Sequence, residues 1–352
     1  MLRRQFIAAS AATAASSALS PRVSNAATPI DAVAEIKRLR IGSGPLAGAY
    51  LIAPAGRVNW YFSNLGLLPL VWQLSGSELD LHVRTYLDLY LSRLEPDMSI
   101  RDVELPSGPS GPLSLALSDS DDSYAATFLS LASRYLAASG DGAWWNARKA
   151  RLFDVAYRNL AVSAKPSGLT RVFQAPRSST NSTGYLMDNC ESYRGLRDFA
   201  AALRLRGDSA DAAYYDSFAG AIGAAISRDL WVPAFSAFRA SDSDAGPTVR
   251  FYPGATCQAF PQAFGVAEAA SRFDQAWAYL NSASPNWQDG RYDPFPWAIL
   301  GFVAAKRGQW DQARAQLSAI DSLFASNRGL VTINELGYHL LSSRLVSGLV
   351  DV

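Results

Sequence analysis

This chain has little of what metal, redox or nucleic-acid chemistry usually needs. It holds two His and two Cys in 352 residues, too few for a zinc site built on those ligands. Charged residues make up 18%, below the roughly 25% usual for soluble domains. Lys and Arg number 32 against 31 Asp and Glu, a net charge of +1, and no block of like charge stands out. Nucleic-acid binding without sequence preference needs a basic stripe, and the sequence shows none. Phosphate-cradling Gly-rich loops are missing. So is the Gly-x-Ser-x-Gly elbow that would make His82 or His339 part of a serine-hydrolase triad. No cofactor and no metal are implied. What is there is apolar surface: hydrophobic residues are 49% of the chain, enough to offset chain entropy and exclude disorder.

The first segment reads as an address. Arg3 and Arg4 precede Gln5-Phe6-Ile7, and an uncharged Ala/Ser-rich run then reaches Leu19. Ser24-Asn25-Ala26 and Asn25-Ala26-Ala27 both offer small-residue cleavage sites. This pattern predicts an export signal over residues 1–27, with the paired arginines pointing to the twin-arginine route. A membrane anchor would need about 20 apolar residues, which the run does not reach. Cleavage after Ala26 removes three arginines and no acid, leaving a mature chain of net charge −2. A periplasmic or secreted protein is expected, with no membrane association once the signal is removed. There Cys190 and Cys257 could form a disulfide, or stay buried as small hydrophobic thiols. The sequence leaves both open.

Beyond residue 28 the apolar spacing is three and four, and breakers recur. Ser139-Gly140-Asp141-Gly142, Arg206-Gly207-Asp208-Ser209 and Arg307-Gly308-Gln309 each close one helix and open another. Such short connections make antiparallel hairpins. One set of predicted helices lies at about 59–74, 121–138, 186–206, 255–270, 292–306 and 334–348, and the other at about 28–40, 77–94, 141–163, 208–228, 273–283 and 309–325. The connections between hairpins, 95–120, 164–185 and 229–253, are long and rich in Pro, Gly, Ser and Asp. All return to the same end, which predicts one working face. Tyr124–Leu136 carries a single charge and Phe295–Ala305 none, as helices enclosed on every side should. Residues 28–352 are therefore expected to form one all-α domain, an (α/α)6 toroid with long loops on one face. A repeat solenoid fits less well, because the inner-helix spacing swings from the sixties to about forty residues.

Acids and aromatics gather where the inner helices begin. Asp119, Asp121 and Asp122 precede Tyr124, and helix capping explains only one or two of them. In Asp188-Asn189-Cys190-Glu191-Ser192-Tyr193, Asp188 and Glu191 share a helix face, as do Asn189 and Tyr193; Asp188 with Glu191 also imitates a capping box. Tyr292, Asp293 and Trp297 mark another start, Tyr252 a fourth, and Trp60 with Tyr61 and Asn334 with Glu335 the last two. Flat rings cover the apolar faces of sugars, and glycoside hydrolysis takes two carboxyl groups. Neighbouring helix axes lie about 8–10 Å apart, which suits the roughly 6.5–9.5 Å carboxyl separation of inverting enzymes. Asp122 and Asp188 form the first catalytic pair, with Glu191 and Asp293 in reserve. Trp60, Tyr61, Asp121, Tyr124, Asn189, Tyr193, Tyr252, Tyr292, Trp297 and Glu335 are the candidate substrate-binding residues.

Asp121-Asp122-Ser123-Tyr124-Ala125-Ala126 and Met187-Asp188-Asn189-Cys190-Glu191-Ser192-Tyr193 resemble segments of the six-hairpin glycosidase superfamily, and the layout of residues 28–350 is similar to it. The start of the 121–138 helix, with Tyr292-Asp293 before Trp297, is similar to its bacterial endoglucanases. The resemblance implies an α/α toroid that cleaves or binds poly- or oligosaccharide where the inner helices begin. Those endoglucanases carry a catalytic Glu at the first inner helix, whereas Asn59-Trp60-Tyr61-Phe62-Ser63-Asn64 has no acid. Three readings follow: an inverting glycoside hydrolase, a non-catalytic glycan-binding protein serving polysaccharide export, or a helical protein–protein scaffold. A polysaccharide lyase using Tyr252, His339 and Arg250 is a minority fourth.

Overall fold

A computed structural model of the chain describes residues 28–175 and 181–349. The export signal expected at 1–27 lies outside the described residues. Local chemistry starts and stops the helices much as the sequence implies. Asn59 accepts the Phe62 amide at 2.8 Å and Asp141 accepts the Trp144 amide at 2.8 Å, each capping the helix that follows. Gly140 takes φ +67 and closes the preceding helix through a bond from its amide to the Leu136 carbonyl.

Twelve helices follow in chain order among the described residues. They are α1 (Ala32–Arg38), α2 (Trp60–Leu70) and α3, which runs from Gly76–Leu79 through a wide turn at Asp80–Arg84 into Thr85–Arg93. Next come α4 (Asp122–Ser139), α5 (Gly142–Ala156), α6 (Leu186–Leu205) and α7 (Ser209–Ala225). The last are α8, a broken run of turns from Phe251 that is α-helical only at Phe260–Ala263, then α9 (Phe273–Ala283), α10 (Ile299–Lys306), α11 (Trp310–Ser326) and α12 (Ile333–Val346). Even-numbered helices form an inner ring and odd-numbered ones the outer layer, an (α/α)6 toroid. One hydrophobic core runs from Ile36 in α1 to Tyr338 in α12. Among the described residues no helix is long and apolar enough to cross a membrane.

Two glycine contacts set the ring's tightest joints. A methyl group at Gly195 of α6 would stand 2.3 Å from the Ala126 carbonyl oxygen of α4. A methyl at Gly66 of α2 would stand 2.6 Å from the Ile333 carbonyl oxygen, where α12 closes the ring. Only glycine permits either approach.

Two expected inner helices are corrected. The stretch at 255–270 is no single helix: Phe251–Ala255 is a wide turn, Thr256–Ala259 a tight one, and only Phe260–Ala263 is α-helical. Pro253 and Pro261 lack the amides that an uninterrupted helix would use. The helix expected from 292 begins at Ile299, because Pro294 and Pro296 interrupt its start and the Asp293 carboxylate draws the Phe295 amide into a local turn at 3.0 Å.

The long connections are also less bare than expected. Within 95–120, strand β1 (Arg101–Glu104) pairs antiparallel with β2 (Ser114–Leu117). Within 229–253, β3 (Trp231–Val232) pairs with β4 (Ala237–Phe238). Val103 of β1 also exchanges both backbone hydrogen bonds with Val58, just before α2. That bridge carries Asp102 to the start of the first inner helix.

Candidate active site

The close approach of α4 and α6 brings the first residue of one, Asp122, against Asp188 in the first turn of the other. Asp122 is fully buried. Its Oδ1 accepts the Ser123 amide at 2.8 Å, and its Oδ2 lies 2.8 Å from the Thr170 hydroxyl. Asn189 holds Thr170 in place: its Oδ1 accepts the Thr170 amide at 2.7 Å, and its Nδ2 donates to the carbonyls of Thr170 and Tyr185. Burial, then the Asp188 carboxylate, push the Asp122 carboxyl well above its usual range. The Thr170 hydroxyl and the Ser123 amide oppose the rise, and Glu191 adds to it. The Thr170 hydroxyl donates to Asp122 Oδ2 and also lies 3.2 Å from Asn189 Oδ1.

Glu191 lies one turn deeper and is also buried. Its Oε1 accepts the Tyr61 hydroxyl at 2.5 Å, and the Tyr61 ring stacks on Tyr124 with centroids 5.6 Å apart. Behind them sits a carboxyl that the sequence reading missed. Asp102 Oδ2 accepts Asn59 Nδ2 at 2.7 Å and the Tyr124 hydroxyl at 2.9 Å, while Oδ1 accepts the Trp60 amide at 3.3 Å. Burial and the neighbouring Asp119 push Asp102 up to about 7, against the pull of Arg57 and its own donors. Segment 59–64 has no acid, yet β1 delivers one there. A lone acid flanked by Arg101 and Val103 in a connecting segment gave no signal of this in the sequence.

Across the ring, Glu335 of α12 accepts the Ala298 amide at 2.5 Å and Asn334 Nδ2 at 3.0 Å. Burial pushes it up to about 8, partly countered by those donors, while Asp293 adds to the rise. Asp293 is half-buried beside a train of rings. Phe62 stacks on Phe295 (6.2 Å), Phe295 meets Trp297 edge-on (5.2 Å), and Trp297 stacks on Tyr252 (4.9 Å). Tyr292 stacks on Phe251 at 5.2 Å. Phe62, Phe251 and Tyr292 keep part of their faces open; Phe62 and Phe251 were not among the expected contacts.

The structure therefore gathers Asp122, Asp188 and Glu191, and places Asp293 apart from them, beside Glu335. Asp122, Asp188, Glu191 and Glu335 are not the open cleft wall that the sequence suggested, being all at most 3% exposed, whereas Asp293 is half-buried. Trp60 is core, its indole N–H donating to the Arg101 carbonyl at 2.8 Å. Asp121 turns away to accept the Gln174 amide at 3.0 Å. Tyr193 accepts the Ala267 amide at 3.3 Å and lies under the Arg197 guanidinium, away from the acids. Asn189 serves Thr170 rather than an open surface. His339 pairs with Asp321 of outer helix α11 at 3.0 Å. Cys190 and Cys257 are buried free thiols, not a disulfide. Among the described residues no group of three or more His, Cys, Asp or Glu side chains is arranged to hold a metal ion.

Below the acids lies a cavity of about 100 Å³ on the ring axis. All six inner helices line it, through Leu65, Thr127, Glu191, Ala263, Phe302 and Tyr338. Glu191 thus stands between the buried acid cluster and the axis.

No known protein family matches this chain, and no curated protein matches it either. Solved structures do. A rhamnosidase from Klebsiella oxytoca with rhamnose bound superposes with a TM-score of 0.59 at 16% identity, over 86% of this chain and 57% of that one. A glycosidase variant in complex with glucose superposes with a TM-score of 0.55 at 16% identity, over 91% of this chain and 96% of that one. The chain spans little more than half of the rhamnosidase and nearly the whole of the glycosidase. At such identity the likeness is one of fold: this chain has the six-hairpin all-α fold found in glycosidases.

Proposed function

We propose that this protein is an exported glycoside hydrolase that cleaves a poly- or oligosaccharide with inversion, using two carboxyl groups. Asp122 is the general acid. Its buried carboxyl, pushed well above its usual range beside Asp188, is the observation that carries the reading, because a general acid must hold its proton more tightly than a free carboxyl does. Asp188, on the adjacent inner helix, is the base that activates water. Glu191, whose Oε1 accepts the Tyr61 hydroxyl, faces the axis. The partly open rings of Phe62, Phe251 and Tyr292 supply flat faces for the sugar. The two solved structures named above each carry a monosaccharide, rhamnose in one and glucose in the other. Residues 1–27 act as a twin-arginine export signal in this reading, and the mature protein works in the periplasm or outside the cell.

The near-complete burial of the three carboxyls favours a second reading, a non-catalytic glycan-binding protein of polysaccharide export. Release of reducing ends from a polysaccharide panel separates the two. Hydrolysis is expected for wild type, falling about 10³-fold in Asp122→Asn and Asp188→Asn, within the range for lost acid–base catalysis. Saturable glycan binding with no cleavage would establish the second reading instead. Full activity in both variants would refute the site.

A further inference from the structure

The far end of the inner ring carries a different constellation. Arg134 stands twelve residues beyond Asp122 on α4, about 18 Å along the helix axis. Arg194 and Asp198 lie roughly one and two turns beyond Glu191 on α6, and Lys306 ends α10. Asp198 accepts Arg134 Nε at 3.1 Å and Arg194 Nη2 at 2.8 Å, and also takes the Ser130 hydroxyl. Burial works to raise the Asp198 carboxyl, but the two guanidiniums hold it below the usual range. Lys306 donates to the carbonyls of Gln262 and Ala263 and lies over the Phe302 ring. Its own pKa is lowered, first by burial and then by the charges of Arg194 and Arg134. Arg134 and Arg194 together face the one carboxylate of Asp198, which leaves positive charge over, with Lys306 and Glu191 both on the axial cavity beside them.

Space opens at the same point. Arg134, Arg194 and Lys306 line the axial cavity of about 100 Å³. Outside it, Arg134, Arg194 and Asp198 line an open groove of about 740 Å³, together with Trp72, Leu205 and small alanines. That volume falls within the roughly 300–1,000 Å³ of small-molecule sites. Trp72 is 44% exposed at the groove edge. The Nε of Arg194 is buried and makes no hydrogen bond. A guanidinium offers five N–H donors, and Asp198 accepts one from Arg134 and one from Arg194.

We propose that this groove is a second binding site, for a carboxylate-bearing saccharide, on the face opposite the acid cluster. Arg134 and Arg194 hold the carboxylate, a geometry that guanidinium forks favour. Trp72 covers the apolar face of the sugar ring. The anion pocket stands on the cations alone, while the choice of a saccharide rests on the carbohydrate reading above.

Calorimetry on the full mature chain tests this without any need for hydrolysis, so an inactive protein leaves the result readable. The probes are a galacturonate trisaccharide, a neutral glucose trisaccharide and inorganic phosphate. The uronide is expected to bind at least tenfold more tightly than either of the others, and to weaken as NaCl is raised. Trp72→Ala changes only an exposed side chain and should weaken uronide binding at least tenfold while phosphate binding stays the same. A uronide that does not bind, or binds equally well to Trp72→Ala, overturns the proposal. Phosphate binding as tightly as the uronide overturns the saccharide assignment.

Discussion

The inner helices begin among carboxyl groups and end among cations, and the two ends treat their carboxyls in opposite ways. At the starting end, Asp122, Asp102 and Glu335 are buried and receive hydrogen bonds from amides, hydroxyls and a carboxamide. At the finishing end, Asp198 is nearly as enclosed but lies between two guanidiniums. Helix dipoles favour acids at starts and cations at ends, which accounts for the arrangement but not for the protonation. The neighbours decide that. Burial beside another acid raises the Asp122 carboxyl, whereas two guanidiniums hold the Asp198 carboxyl below the usual range despite its burial.

The comparison breaks altogether if α4 and α6 are forced apart, since both ends are built across that joint. Gly195→Ala puts a methyl where the Ala126 carbonyl oxygen stands. We expect a loss of about 3 kcal/mol or more, at the upper end of overpacking costs, read as a lowered midpoint of urea unfolding. An unchanged midpoint would mean that the joint is looser than described.

The pH dependence of stability sharpens the comparison next. Asp102 and Glu335 bind protons more tightly folded than unfolded, with folded values of about 7 and about 8. Their contribution is whole below the unfolded carboxyl range near pH 4 and is lost as pH rises through the folded values. Each contributes a slope of about 1.4 kcal/mol per pH unit within that window. Asp198 runs the other way: its contribution is present above about pH 4 and lost as pH falls through its lowered folded value. Urea midpoints across pH 3–9 should show the high-pH loss flatten in Glu335→Gln and the low-pH loss flatten in Asp198→Asn. If each variant leaves its own limb unchanged, the two ends do not titrate as described.

The smallest effect concerns a single bond at the starting end. Tyr61→Phe removes the hydroxyl that Glu191 accepts, and should cost about 1–2 kcal/mol of stability. Chemical denaturation measures it, and a cost near zero would show the bond to be dispensable.

Much of the fold could be read in advance because its signals are local. The Ser139-Gly140-Asp141-Gly142 turn carries both a left-handed stop and the cap of the following helix within four residues, and the structure uses it so. The reading failed at α8 and at the start of α10, where apolar spacing outweighed Pro253, Pro261, Pro294 and Pro296. In the site, Asp122, Asp188 and Glu191 could be singled out by position at helix starts. Tyr193 and Asn189 share a face of α6, but that face looks to the Ala267 segment and to Thr170 instead of the carboxyl group of Asp122. Asp102 went unseen because a hairpin carries it to Asn59, 43 residues earlier in the chain.

The sequence by itself determined the number of helices, their hairpin order and the clustering of acids at helix starts, because periodicity, caps and glycine stops act over a few residues. Only the tertiary structure decided which acids meet, which bind their protons more tightly and where the cations converge. Those outcomes depend on burial and on neighbours from distant helices, and a backbone approach as close as that of Gly195 to Ala126 sets them through contacts that no local stretch of chain encodes.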